Sequence, residues 1–544
     1  MNPIEHKLKQ SIQDAVKKAF EVEISLEDII IEVPKYAEYG DYSTNVAMRL
    51  SKTLKQNPRG IAEAIILNLD KANIEKTDIA GAGFINLFLS KTSISSIIST
   101  IITENEAYGQ SIQSPQVHYN IEYVSANPTG DLHPGHARGA AIGDALSRIM
   151  KKAGYLVTRE YYINDAGNQI NNMALSLQAR YLQICGLDVS VPEDGYQGQD
   201  LKDIAHTLFT EVNTKYKDIT LEDSLPFFRQ YGLRAETAKL KEDLELFRVE
   251  FDVWTSEQSL YDQNLVQQTL KRLTDLDKTY TLDNAVWLKT TEYGDDKDRV
   301  LVKSDGSYTY ILPDIAYHLN KKQRGYDKLV DLLGADHHGY IARLQAAFQA
   351  LGYQKEDLSV DIIQMARMIK DGVEFKLSKR TGQAVALKDL IEEAGVDAVR
   401  YYFVSKASDT HMDLDLDMAK KQSSDNPVYY AQYAHARMCA ILRQAEFNLP
   451  EDLSHLIHPK EIELLKILAD YTQLILDAAN SRQPHKVCLY IQKIATAFHA
   501  FYTECPVLQV ESPLKEERLA LVKATQIVLA NAFDLIGVNA PEKM

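Results

Sequence analysis

Two short stretches of this 544-residue chain hold side chains suited to phosphate chemistry. In the first, Ile121-Glu-Tyr-Val-Ser-Ala-Asn-Pro-Thr-Gly-Asp-Leu-His-Pro-Gly-His-Ala-Arg-Gly139, an apolar run gives way to a loop with Gly and Pro, and a helical pattern starts near His136. A helix N-terminus offers N–H groups and the positive end of the dipole, which suit phosphate oxygens. Gly135 has no Cβ, so a flat nucleotide base can approach the backbone there. His133 and His136 could face one bound triphosphate; the pair also reads as an exposed helix start or as two metal ligands, with no third ligand nearby in sequence. The second stretch, Phe375-Lys-Leu-Ser-Lys-Arg-Thr-Gly382, sets Lys376, Lys379 and Arg380 between glycines. Such a loop can clamp phosphates and stabilise charge on a pyrophosphate leaving group. Taken alone it reads as an ordinary basic surface loop.

The elements around these stretches fall into three segments. The first opens with a helical stripe, Ile4, Leu8, Ile12, Ala15, Val16 and Phe20, and ends in an alternating strand, 82–89. Asn105 to Gln116 is polar, carries Gly109 and Pro115, and reads as a linker. The second segment alternates strands and helices: strand 117–124, loop 130–135, helix 137–152 and strand 156–163. That order is the unit of a parallel sheet. Residues 171–275 read as a mostly helical insertion, after which strand-like runs return at 285–289, 300–303, 308–312, 328–333 and 360–365. From about Ala394 the chain is helical, over 429–445, 460–479, 485–503 and 514–536.

Totals narrow the function. The length implies three or four domains. No run approaches the ~20 apolar residues of a membrane span, and the N-terminus lacks a secretory h-region, so a cytoplasmic location is expected. The net charge of −16 argues against a protein that coats nucleic acid, though local basic patches can still bind one folded RNA. Cys185, Cys439, Cys488 and Cys505 form no C-x-x-C pair, so neither zinc nor a disulfide framework is supported. Asp413, Asp415 and Asp417 resemble the start of a calcium loop, but Met418 and Ser424 stand where an EF-hand needs Gly and Glu.

His-x-Gly-His at 133–136, followed roughly 240 residues later by Lys-x-Ser-Lys at 376–379, resembles the two signature motifs of class I aminoacyl-tRNA synthetases. Glu122 to Gly130, Arg159 to Gln169, Gly334 to Tyr340, Asn426 to Arg437 and the ending Leu535 to Met544 look like bacterial-type arginyl-tRNA synthetases, in the same order along the whole chain. The resemblance implies a multidomain α/β plus all-α protein. It comprises an α+β N-terminal tRNA-binding domain (1–110), a Rossmann-like catalytic domain (111–395) and a C-terminal helical-bundle anticodon-binding domain (396–544). It implies activation of L-arginine by ATP with Mg²⁺ but no zinc, then transfer to tRNA(Arg), by a monomer.

Roles follow residue by residue. His133, His136, Lys376 and Lys379 would be catalytic, gripping ATP together with Gly135, Asp336, His338 and Ser378. Glu122, Asn127, Tyr310, Asp314 and His337 would bind arginine, whose planar fork of donors is best met by carboxylates. Phe84 and Asn86 match positions that read the tRNA elbow; their alternation also fits a half-buried strand. Tyr430, Tyr433 and Arg437 share one helical face, suited to unstacked anticodon bases or to core packing. The chain departs from the family at Pro134, Leu377 and Arg380. A class I synthetase for another amino acid and a non-catalytic tRNA-binding paralogue are the competing readings. The first is disfavoured by Glu122 and Asp314, the second by intact His133, His136 and Lys379.

Overall fold

The computed structural model describes residues 3–32, 34, 39–72, 74–90, 95–375 and 385–544, with side chains at all of these except 3, 4 and 336–338. Near the N-terminus, helix α1 (Pro3–Phe20) buries Leu8, Ile12, Ala15 and Val16 against α3 (Pro58–Asn68), with α2 (Val46–Leu54) beside it. The helices accompany an antiparallel sheet ordered β1-β2-β4-β3, built from Ile31–Glu32, Tyr42–Thr44, Ile74–Ala80 (β3) and Phe84–Leu89 (β4). Helix α4 (Ile97–Glu104) leads out of this unit. The polar stretch after it is not a loose tether. Gln110, Gln113 and Gln116 donate to the carbonyls of Lys151, Ala153 and Gly154, at and just past the end of the helix Pro134–Lys152.

The second unit is a five-stranded, all-parallel sheet in the order β12-β11-β5-β6-β7. Its strands are β5 (His118–Glu122), β6 (Leu156–Ile163), β7 (Val253–Ser256), β11 (Lys328–Gly334) and β12 (Leu358–Ile363). Helix α5 (Pro134–Lys152) crosses from β5 to β6. It packs close to the sheet because a Cβ on Gly143 would enter the Tyr123 ring. The expected insertion is helical over α6 (Asn168–Ile184), α7 (Gln199–Val212) and α8 (Leu221–Leu246), which enclose a core of their own. It is not an insertion throughout: β7 lies inside the 171–275 range and forms an edge of the main sheet.

Beyond β7 come α9 (Glu257–Asp262), α10 (Leu265–Asp275) and an antiparallel sheet of β8 (Thr279–Leu282), β9 (Ala285–Leu288) and β10 (Arg299–Val302). The strand expected at 308–312 is replaced by helix α11 (Ile311–Gln323). Its aromatic and β-branched start reads as a strand, but Pro313 and Asp314 sit in the first turn, where a missing N–H costs nothing and a carboxylate meets the dipole. Helix α12 (Ile341–Ala350) packs on α11.

Strands β13 (Ala366–Lys370), β14 (Val373–Glu374) and β15 (Met412–Asp415) form a small sheet before the helical part. The three carboxylates of the calcium-like run go to separate partners: Asp413 to Arg367, Asp415 to the backbone N–H groups of 417 and 418, and Asp417 to the N–H of Asp371. After α13 (Leu387–Ala394), α14 (Val396–Val404) and α15 (Leu416–Lys420), the chain ends in a helical bundle. The bundle comprises α16 (Pro427–Leu442), α17 (Pro459–Ala469), α18 (Tyr471–Asn480), α19 (His485–Glu504) and α20 (Leu514–Leu535). The single helix expected over 460–479 is broken at Asp470. One continuous core runs from α1 through the parallel sheet into α20. Among the described residues no helix is long and apolar enough to cross a membrane.

Candidate functional site

A cavity of about 860 Å³ opens at the carboxyl ends of the parallel strands, the usual ligand position in such sheets. It is lined at one end by Glu122, Asn127, Tyr162, Asp314 and Tyr317, and at the other by His133, Gly135, His136 and Gly334. Helix α5 begins at Pro134, two residues earlier than the sequence suggests. His133 is its N-cap: Nδ1 accepts from the N–H groups of Gly135 at 3.0 Å and His136 at 3.3 Å. Those N–H groups are therefore occupied by an imidazole, and the two histidine rings stack 3.6 Å apart. A Cβ on Gly135 would sit 2.8 Å from the His133 ring, so the glycine first serves the cap. Arg138, fully buried, donates to the carbonyls of Gln364 at 2.7 Å and Ala407 at 2.9 Å and fixes the roll of α5.

Lys376, Ser378 and Lys379 lie outside the described residues, as do the side chains of Asp336, His337 and His338. The chain just beyond that basic stretch is tied to the first motif: the N–H of Leu387 donates to the carbonyl of Leu132 at 2.7 Å.

Around Glu122 the cavity rests on a row of acids. Parallel register sets Asp331 of β11, Glu122 of β5 and Glu160 of β6 side by side. Neighbouring like charges on a sheet repel, and burial sharpens the penalty. Helix α11 answers with one face of partners. Lys321 Nζ, fully buried, donates to Glu122 Oε2 at 2.5 Å and Asp331 Oδ1 at 3.0 Å. Arg324 and the Tyr317 hydroxyl donate to Glu160 at 2.8 and 3.0 Å. His318 lies between two acceptors, the Asp314 carbonyl at 2.7 Å and the Asp331 carboxylate at 2.6 Å, so both ring nitrogens carry protons. Burial opposes the charge on Asp331, but Lys321 and His318 hold its carboxyl well below the usual range.

Glu122 Oε1 accepts from Ser125 Oγ at 2.9 Å. Ser125 is delivered by a strained turn in which Val124 and Ser125 have φ of 69° and 40°. A β-branched residue there costs about 1–3 kcal/mol, strain of the kind found at functional sites. Asp314, one turn before His318, accepts from the Tyr340 hydroxyl. Burial, with Glu122 and Asp331 nearby, pushes its carboxyl up to about 6, against the pull of Tyr340 and His318. Glu257, at the end of β7, is buried beside it; burial first, then Asp314 and Asp165, push its carboxyl up to about 7.

Of the expected arginine ligands, Glu122, Asn127 and Asp314 line the cavity and Tyr310 does not: its side chain is 90% exposed. Asn127 donates to Gln169 at 2.6 Å. Sequence reasoning missed Glu257, His318, Lys321 and Asp331. The spacing Asp314, His318, Lys321 on one helical face was a signal, hidden by reading 308–312 as a strand.

The two expected tRNA-facing groups differ. Asn86 is only 4% exposed, inside β4 between Ser43 and Asp78, so its side chain is not presented; Phe84 is half-buried. On α16, Tyr433 is exposed, Tyr430 packs on His499, and Arg437 lies 4.4 Å over the Tyr502 ring while donating to the Tyr433 hydroxyl. These rings form an aromatic shelf with a cation at its edge.

Residues 97–439 match the family described as tRNA synthetases class I (R), catalytic domain. Residues 6–89 match the arginyl tRNA synthetase N terminal domain, and 431–544 the DALR anticodon binding domain. Arginine–tRNA ligase of Bacillus licheniformis is 52% identical over 546 residues, covering 99% of this chain and 98% of that one. The Bacillus subtilis protein of the same name is 51% identical over 546 residues, with coverage of 99% and 98%. The solved Thermus thermophilus arginyl-tRNA synthetase shares the fold, with a TM-score of 0.75 at 22% identity over 99% of this chain and all of that one.

Proposed function

The chain belongs to the arginyl-tRNA synthetase family, and on that premise we propose how its residues carry the reaction. It is an arginine–tRNA ligase, an ATP-dependent enzyme whose substrates are arginine, ATP and tRNA(Arg). Arginine lies with its guanidinium between Asp314 and Glu257 and its α-ammonium at Glu122 and Asn127. The observation that carries this reading is a single cavity joining Glu122, Asn127 and Asp314 to the His133–His136 turn. A neutral side chain such as citrulline's leaves the buried carboxylates unpaired and is rejected. Tyr310, exposed and outside the cavity lining, closes over the substrate only if it turns inward.

The substrate carboxylate attacks the ATP α-phosphate, giving arginyl-adenylate and pyrophosphate. His133 and His136 hold the phosphates as charge develops, and Lys376, Ser378 and Lys379 neutralise the leaving group. Gly135, Asp336 and His338 serve nucleotide binding, and His337 amino-acid binding. Mg²⁺ travels with the ATP phosphates; no protein cage and no zinc are invoked. The terminal ribose hydroxyl of tRNA then attacks the carbonyl carbon of the adenylate, forming the ester as the bond to AMP breaks and AMP leaves, helped by positioning more than by a general base.

Residues 1–110 form a tRNA-binding domain with Phe84 at its contact face, 111–395 the catalytic domain, and 396–544 the anticodon domain with Tyr430, Tyr433 and Arg437. The enzyme acts as a cytoplasmic monomer. Pyrophosphate exchange tests the reading: exchange should depend on arginine alone among amino acids and should require tRNA. Full exchange without tRNA, or with another amino acid, overturns it.

A further inference from the structure

We propose that α11 is a ruler for substrate length: Lys321, beneath the cavity, fixes the α-ammonium acceptor Glu122 against the guanidinium acceptor Asp314 on the same helix. This rests on the reading of Glu122 and Asp314 as the two ends of the arginine site.

The two acceptors come from distant parts of the chain. Asp314 is in the first turn of α11, and Glu122 is the last residue of β5. Lys321, two turns on from Asp314, spans the gap with a 2.5 Å bond to Glu122. Seven residues of helix are about 10 Å along the axis. The separation of the two acidic heads is thus referred to one rigid element instead of to the sum of several loops.

Three observations give the helix this role. Lys321 has no exposed surface, so it touches no substrate and acts only through Glu122 and Asp331. Its head is held from several sides: the two carboxylates, and the Tyr317 ring 4.3 Å away. His318, between Asp314 and Lys321, bonds to Asp331 and to the Asp314 carbonyl, tying the helix to β11 midway along the span. Asp331 therefore braces the ruler: it receives both α11 cations and sits in register beside Glu122. A helix pinned at three levels to the strands beneath it cannot slide to suit a longer or shorter side chain.

Lys321 is a positioning residue by this account, and its removal should alter which substrate length is accepted.

The experiment compares arginine with its guanidino homologues one methylene shorter and one longer, by tRNA-dependent pyrophosphate exchange. In the wild-type enzyme each homologue should lose about tenfold or more in kcat/KM, mainly through KM. A homologue used within about threefold of arginine overturns the proposal. Lys321→Met, and the charge-balanced pair Lys321→Met with Asp331→Asn, should raise KM for arginine about tenfold, leave KM for ATP unchanged, and narrow the preference over the longer homologue. Thermal melts accompany both; should the single variant unfold, the balanced pair carries the comparison, and the wild-type homologue preference decides if neither folds. If both variants keep the arginine preference while Glu122→Gln and Asp314→Asn lose arginine binding, the ruler is wrong and the site stands. If Glu122→Gln and Asp314→Asn leave KM for arginine unchanged, the site reading itself fails, and the ruler with it.

Discussion

At the level of single residues, Asp314 in the cavity and its buried neighbour Glu257 set how the enzyme responds to pH. Asp314 is pushed up to about 6 and Glu257 to about 7, both chiefly by burial. A guanidinium favours the ionised carboxylates, so it lowers both values on binding. Arginine therefore binds with release of protons near neutral pH, and its KM climbs as pH falls through 7 and then 6, while above about 8 it is flat. Calorimetry in buffers of different ionisation heat checks this, with proton uptake on binding as the contrary result. Asp314→Asn keeps shape but removes the paired charge; KM for arginine should rise about a hundredfold with KM for ATP unchanged. On the aromatic shelf, Tyr433→Ala should raise KM for tRNA about tenfold without touching KM for arginine, read by aminoacylation at varied tRNA.

At the level of elements, α5 shows how little slack surrounds the signature motif. Gly143→Ala would drive a methyl into the Tyr123 ring beneath it and should cost about 1–3 kcal/mol by denaturant unfolding. Much of this element was legible: an apolar strand, a Gly/Pro loop and a helical period announce β5, the turn and α5 in order. The N-cap was not, because a histidine in that role has no sequence habit comparable to Ser or Asp. The α11 face stayed hidden for a deeper reason. A lysine becomes a buried strut only once parallel pairing has set Glu122 beside Asp331, and register between strands far apart in sequence has no local signature. Tyr310 and Asn86 fail in the opposite sense. Their spacing matches family positions, but spacing says nothing of whether a side chain points outward, as Tyr310 does, or is covered by neighbouring strands, as Asn86 is.

Across the whole molecule, the units are joined by buried charge. Arg400 of α14 is fully buried and bonds to Asp144 of α5 at 2.5 Å, to the Phe247 carbonyl after α8 at 2.8 Å and to the Ile536 carbonyl after α20 at 3.0 Å. Arg148 links Asp144 to Asp534, and Arg248 links Asp397 to Gly537. Arg400→Met would leave Asp144 to Arg148 and break the bonds to the Phe247 and Ile536 carbonyls, a loss of about 3 kcal/mol. The melting transition should fall and split as the bundle releases the catalytic unit, visible by calorimetry; one unshifted transition would contradict this joint.

The Arg400 joint also bears on when the enzyme comes into being. The Ile536 carbonyl follows α20, so the group that completes the setting of α5 is made long after α5 itself. Early domains can fold as they emerge from the ribosome. Helix α5, however, waits for its last fastening until the bundle has been synthesised. A nascent chain halted before α20 should hold α5 more loosely than the finished protein does, and faster amide exchange along that helix would record the difference.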